Sequence, residues 1–150
     1  MRKIFYLFSI TFLLFQSCSS DDSSDSTTPN SSNITGKWEY FQMGVFSRGT
    51  TITGNESLSN YQQSCSTKKD YIELLSEGIC KGVFYHDCNE LVINGTWNKT
   101  DFLLNTNFDN EGPISYEILN LTSTTLKLKI TNYSDNGTPY EIVVLSFKKA

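Results

Sequence analysis

Leu126-Lys127-Leu128-Lys129-Ile130 alternates apolar and cationic residues without a break. Successive side chains of a strand point to opposite faces, so this stretch is a β-strand with one dry face and one wet face. Working outward, it belongs to a strand near Thr125–Asn132. Asn120-Leu121-Thr122-Ser123-Thr124 reads as the connection from a preceding strand, Ile114–Leu121. Ser134-Asp135-Asn136-Gly137 supplies an Asn-Gly turn before a last strand, Tyr140–Lys148. In that last strand Ile142 and Val144 fall on one face, Val143 and Leu145 on the other. Both faces are therefore expected to be buried, one of them under a partner.

The same signature recurs upstream, with Val, Ile, Thr, Tyr and Phe runs between Gly, Asn, Asp and Ser turns. It predicts strands near Lys37–Phe46, Asp70–Leu75, Ile79–His86, Glu90–Asn98 and Asp101–Asn107. Asn98-Lys99-Thr100 reads as a tight connection between two of them. Gly49 to Ser64 lacks clear patterning and is expected as a flap or a short helical turn. No segment holds a sustained helical period with caps. Eight strands in series, joined mainly by hairpins, leave unpaired edges unless they close on themselves. The reading is all-β, an eight-stranded antiparallel up-and-down barrel, whose interior is either filled by side chains or holds one small ligand.

Composition narrows the function. In 150 residues, 38% are hydrophobic and 13% aromatic, enough for one core. A net charge of −4 speaks against nucleic acid as a partner. A single histidine removes most His-based metal sites. His86 and Asp87 are adjacent, so in a strand they face opposite ways and form no dyad without a turn to re-aim them. No serine sits in a nucleophile elbow, and no Gly-rich phosphate loop opens a helix. Glu39, Glu73, Glu117 and Glu141 alternate with apolar residues and read as solvated. The expectation is a non-enzyme without cofactor or metal.

The first 33 residues carry an address. Arg2 and Lys3 precede an apolar run, Ile4 to Phe15, too short for a span of about 20 residues but suited to a signal peptide. Phe15-Gln16-Ser17-Cys18 resembles the bacterial lipobox, with Phe15 where leucine is usual. The resemblance implies a signal peptide over 1–17, cleavage after Ser17, and lipid attachment at Cys18. It further implies several acyl chains, which anchor firmly where one does not. Ser19 to Ser32 holds no large apolar residue, so 18–33 reads as a lipidated cysteine and a disordered tether. Cys18-Ser19-Ser20-Asp21-Asp22 resembles the acidic export signal of Bacteroidetes surface lipoproteins, and Asp25-Ser26-Thr27 the O-glycosylation motif of that phylum. The implied location is the outer membrane, lipid-anchored, at the cell surface or, alternatively, on its periplasmic face. Without Arg2 and Lys3 the chain keeps 10 basic against 16 acidic residues, so the membrane is reached through lipid rather than through a basic patch. The N-x-[ST] sequons, Asn33-Ile34-Thr35 among them, read as a by-product of Asn/Thr/Ser-rich composition.

Four segments carry a family resemblance: Ile34-Thr35-Gly36-Lys37-Trp38, Gly95-Thr96-Trp97, the run from Tyr116 to Leu128, and Phe147-Lys148-Lys149. Together they resemble the lipocalin-like domain common in Bacteroidetes surface lipoproteins, over 34–150. The resemblance implies a lipocalin-like barrel with Trp38 as a structural plug at its closed end. It lends a shape rather than a reaction.

With Cys18 lipidated, Cys65, Cys80 and Cys88 remain. Cys65 precedes and Cys88 follows a strand hairpin whose outer ends meet, and related domains often have a cysteine at each place. That implies a Cys65–Cys88 disulfide. A Cys80–Cys88 bridge stays open as an alternative, though it would run along one strand. Cys80 otherwise reads as a small buried hydrophobe. Zinc at Cys80 and Cys88 with the neighbouring His86 and Asp87 is disfavoured because an exported protein meets an oxidising compartment.

What remains is binding. Tyr40, Phe46, Arg48, Phe84, Trp97 and Tyr116 are the candidate ligand-binding residues of a monomeric barrel that takes a small apolar ligand. The loop from Gly44 to Ser64, with Phe46, Arg48 and Tyr61, is expected at the barrel mouth, where Arg48 pairs an anionic group or stays solvated. The alternative is a structural or protein-interaction module with a filled core. A cavity of roughly 300 Å³ or more, open at one end, separates the two.

Overall fold

The structure, a computed structural model, describes residues 33–134 and 137–150. The signal peptide, Cys18, Ser26, the tether up to residue 32 and the Asp135-Asn136 turn lie outside the described residues. Nine strands follow one another: β1 (Gly36–Ser47), β2 (Ser59–Asn60), β3 (Tyr71–Leu74), β4 (Ile79–His86), β5 (Asn89–Thr100), β6 (Leu103–Phe108), β7 (Gly112–Leu121), β8 (Thr125–Tyr133) and β9 (Pro139–Lys149). From β3 onward each pairs antiparallel with the next, and β1 joins β3 on one side and β9 on the other. The eight long strands thus form a closed up-and-down barrel, and closure removes the edges that an open meander would expose. The two-residue β2 patches the upper part of β1, where Gln42 and Met43 pair with Asn60 and Ser59.

Local chemistry sets the corners. The β4–β5 connection is a two-residue turn, with His86 opposite Asn89 and both Asp87 and Cys88 at positive φ, the geometry that suits the twist of a hairpin. Between β5 and β6 the strand runs on to Thr100, paired with Leu103, so the turn falls at Asp101-Phe102 rather than at Asn98-Lys99-Thr100. Asp101, at φ 46°, takes the left-handed residue there. Gly95, in the Gly-Thr-Trp segment, is required by close approach: a Cβ there would lie 2.5 Å from the Asn107 carbonyl oxygen.

The core fills one end. Trp38, Leu74, Cys80, Leu104 and Leu126 are fully buried, joined by Leu128 and Phe147. Trp38 donates its indole N–H to the Ile34 carbonyl at 2.7 Å, so the buried ring has no unpaired polar atom. A Cys65–Cys88 disulfide, with Cα atoms 4.8 Å apart, ties the segment before β3 to the β4–β5 turn. Among the described residues Cys80 is the free cysteine, and it is buried.

A β-bulge at Phe41 changes the face on which β1 presents its side chains. Tyr40 pairs with Phe147 and points into the barrel, but Gln42 pairs with Ser146, leaving Phe41 as the extra residue. Beyond it Met43 and Val45 turn inward, opposite Leu145 and Val143, while Gly44 and Phe46 turn outward, opposite Val144 and Ile142.

Residues 49–58 are neither a flap nor a helical turn. They form an extended strap on the outside of the barrel, with Ile52, Gly54, Glu56 and Leu58 half-buried and the residues between them exposed. Leu58 lies against β1, since a Cβ on Gly44 would meet its Cδ2 at 2.7 Å. Gly54 passes Leu119 of β7, and its carbonyl accepts a hydrogen bond from Lys127 Nζ of β8. The Glu56 carboxylate holds a tight turn in the strap by accepting from the Gly54 N–H at 3.1 Å and from Thr53. Those donors lower its pKa. Under the strap, outward-facing Val144 is 0% exposed. The last strand is buried on both faces, and the cover comes from the same chain rather than from a partner.

Candidate functional site

The barrel is plugged below and open above. Register puts Met43 and Val45 of β1, Leu91 and Ile93 of β5, Ile114 of β7, Ile130 of β8 and Val143 of β9 on its inner face. Three of these are nonetheless exposed: Met43 by 38%, Val45 by 57% and Leu91 by 55%. Apolar side chains that face a barrel interior and still meet water line an open cup. Its floor is aromatic. Tyr40 stands 4.6 Å from Phe147 and 6.0 Å from Phe84, centre to centre, and stacks on Tyr61 at 4.8 Å. Below the floor a gap of about 20 Å³ remains, bordered by Tyr40, Thr106, Phe108, Tyr116 and Phe147 among others. That is about the room one water needs, not a ligand.

The polar groups near the floor are few. Burial drives the Tyr40 phenol far above its ordinary pKa, with Tyr116 and Tyr61 adding to the shift. Burial also raises Tyr116, with the Thr106 hydroxyl opposing it. Thr106 Oγ1 makes no well-formed hydrogen bond, so its contact with Tyr116 is an electrostatic neighbourhood rather than an aligned bond. Neutral phenols and a hydroxyl suit an uncharged or weakly polar ligand.

A second polar cluster closes the wall where β1 leaves β3. Asp70, 4% exposed, accepts from the Tyr61 hydroxyl at 3.0 Å and the Tyr85 N–H at 2.8 Å. Gln63 accepts from the Asp70 N–H at 2.8 Å and donates to the Tyr40 carbonyl at 3.3 Å. Each buried polar atom of this cluster has a partner, as burial demands. Burial and Asp70 together push the Tyr61 phenol up to about 12.

The sequence-derived candidates separate into three places. Tyr40, Phe84 and Tyr116 come together at the floor. Trp97 does not join them: its indole donates to the Leu75 carbonyl at 2.8 Å, which fixes it at the plugged end beside the core. Phe46 faces outward beneath the strap, and Arg48 is exposed in the turn that leaves β1. Sequence reading missed Met43, Val45 and Leu91, which form the rim of the cup. For Met43 and Val45 the signal was the apolar alternation of β1, inverted by one bulge residue; for Leu91 it was its place opposite Phe84 in the β4–β5 hairpin. His86 and Asp87 are re-aimed by their turn, with Nε2 to carboxylate 3.6 Å, but both stand in water, 88% and 83% exposed. Among the described residues no group of three His, Cys, Asp or Glu side chains could hold a metal ion.

Comparison with solved structures places this architecture. Lobster apocrustacyanin A1 superposes with a TM-score of 0.54 at 20% identity, over 83% of this chain and 64% of that one. The chain therefore spans less than two thirds of the apocrustacyanin it matches. A lipocalin-like protein from Bacteroides uniformis matches with a TM-score of 0.52 at 11% identity, over 78% of this chain and 98% of that one. An uncharacterised protein from Bacteroides eggerthii matches with a TM-score of 0.50 at 12% identity, over 79% and 100%. No family model matches the sequence, and none of the curated proteins is similar to it. At these identities the likeness is one of fold: the chain has the lipocalin-like fold.

Proposed function

We propose that this chain is a Bacteroidetes outer-membrane lipoprotein, held at the cell surface through Cys18, whose barrel binds a small apolar ligand without catalysis. The observation that carries the ligand is the open cup. Met43, Val45 and Leu91 point inward and remain exposed, above a floor of Tyr40, Phe84 and Tyr116. Exposed apolar surface that faces a concavity is stabilised when an apolar molecule displaces its water, by about 25 cal/mol per Å². The anchor rests on the sequence from Phe15 to Ser32.

The test is native mass spectrometry of the protein extracted from its own membrane. A discrete extra mass, released on denaturation, identifies a carried molecule. Acyl chains on the Cys18 peptide establish the anchor separately. A protein without extra mass favours the second reading, a protein-interaction module, which the small gap of about 20 Å³ beneath the floor supports.

A further inference from the structure

The wall holds a second concavity, which touches Tyr40 and Tyr61 of the cup's floor but none of Met43, Val45 or Leu91. On its β3 side, β1 changes partner: Gly36–Glu39 pair with β3, whereas Gln42 and Met43 pair with β2. At the changeover the bulge makes Phe41 the extra residue of β1, and residues 61–69 carry the chain from β2 to β3. The result is a cleft of about 290 Å³ bounded by Glu39, Phe41, Asn60, Tyr61, Lys69 and Lys148. That volume lies at the lower end of small-molecule sites, enough for one small ligand.

The cleft is built before any ligand arrives. Its backbone is pinned by Tyr40 N–H to the Asp70 carbonyl at 3.1 Å and by Tyr61 N–H to the Phe41 carbonyl at 3.0 Å. Gln63 adds the bond to the Tyr40 carbonyl. Two donors on its border are uncommitted. Lys148 makes no ion pair among the described residues; its ammonium instead rests over the Phe41 ring, 3.6 Å from the centre. The Asn60 side-chain amide makes no hydrogen bond among the described residues. The neighbouring Lys69 is already paired with Glu39 at 2.8 Å. One cation without an ion pair, one free amide and an aromatic ring therefore border the same cleft, on a protein with 16 acidic against 12 basic residues.

We propose that this cleft binds a small carboxylate that carries an apolar face. The carboxylate draws the Lys148 ammonium off the Phe41 ring and pairs with it and with the Asn60 amide, a charge-assisted pairing, which frees that ring face for the apolar part of the ligand. This site borders the same Tyr40 and Tyr61 as the cup but rests on other groups, Lys148, Asn60 and Phe41, and goes beyond the reading above.

The test uses the ¹⁵N-labelled full chain, purified from its host in detergent, with benzoate as the probe. Saturable amide shifts at Phe41, Asn60 and Tyr61 are expected, with acetate weaker and benzyl alcohol inert. Lys148→Ala, an exposed substitution that leaves the core intact, weakens benzoate about tenfold, the effect of losing one charged hydrogen bond. Phe41→Ala removes the preference for benzoate over acetate. The proposal is overturned by no shift at these residues, by equal binding of benzyl alcohol, or by shifts confined to Met43, Val45 and Leu91. That last outcome leaves the cup reading standing.

Discussion

The ammonium of Lys149 lies 4.3 Å from the centre of the Trp38 ring, across the β1–β9 pair that closes the barrel. It also donates to the Thr35 carbonyl. Strand closure, the buried indole and the start of the domain are thus held by one residue near the end of the chain. Burial pulls the Lys149 pKa below its ordinary value, while the ring face and the carbonyl are what keep an ammonium tolerable there.

Lys149→Met keeps the apolar stem and removes the charge. It should cost about 1–2 kcal/mol, one cation–π contact plus one hydrogen bond. Trp38→Ala should cost about 3–5 kcal/mol through the cavity it leaves. Urea unfolding followed by circular dichroism measures both, and near-equal losses would show that the ring matters only through Lys149.

The Cys65–Cys88 bridge closes a loop with a sequence separation of 23. Its removal, as Cys65→Ser with Cys88→Ser, should lower stability by about 3 kcal/mol on the chain-entropy account. Cys80 should behave otherwise. Burial pushes its thiol up to about 11, so in the native protein at pH 8 it should resist a thiol reagent and react only once denaturant is added. Labelling of the folded protein at the rate of a free thiol would contradict the buried position.

Tyr61 gives the fold an alkaline limit. Burial and Asp70 push its phenol up to about 12 in the folded protein, from an ordinary value of 10.0. The folded state therefore binds more protons between those values, and stability falls as pH rises through that window. Tyr61→Phe should flatten this part of the pH–stability curve. It should also cost about 1 kcal/mol at neutral pH, because Asp70 loses a donor. Thermal melts at pH 9 to 12 decide it.

The strap can be lifted without touching the interior. Gly44→Val adds atoms where Leu58 and the Phe46 ring already stand, both within 2.8 Å of a Cβ at that position. The expected cost is about 1–3 kcal/mol of overpacking. Hydrogen exchange should quicken at residues 52–58 and at Val144, while Leu126 to Ile130 stay protected.

Much of the architecture was legible in the sequence because alternation reports a strand directly. Ile79–His86 spans the same residues in both readings. Phe46 was misplaced for a physical reason: one bulge residue, Phe41, swaps the inner and outer faces of all that follows in β1. Trp97 was grouped with the binding aromatics and sits instead at the plugged end, since alternation says which side a residue takes and not how far along the barrel it sits. The strap escaped notice because two of its inward positions, Gly54 and Glu56, are not apolar. Glu56 spends its carboxylate on Thr53 and Gly54, which no hydrophobic period records.

Residues 34–36 and 149–150 meet at the plugged end, where Ala150 donates to the Lys37 carbonyl at 3.1 Å. That gives the barrel a polarity like that of a goblet on its stem. Whatever support holds the chain through residue 33 grips the foot, so the rim of Met43, Val45 and Leu91 faces away from it. A label or fusion at either described end would likewise leave the rim unobstructed, and protein immobilised through either of those ends would present its cup to solution.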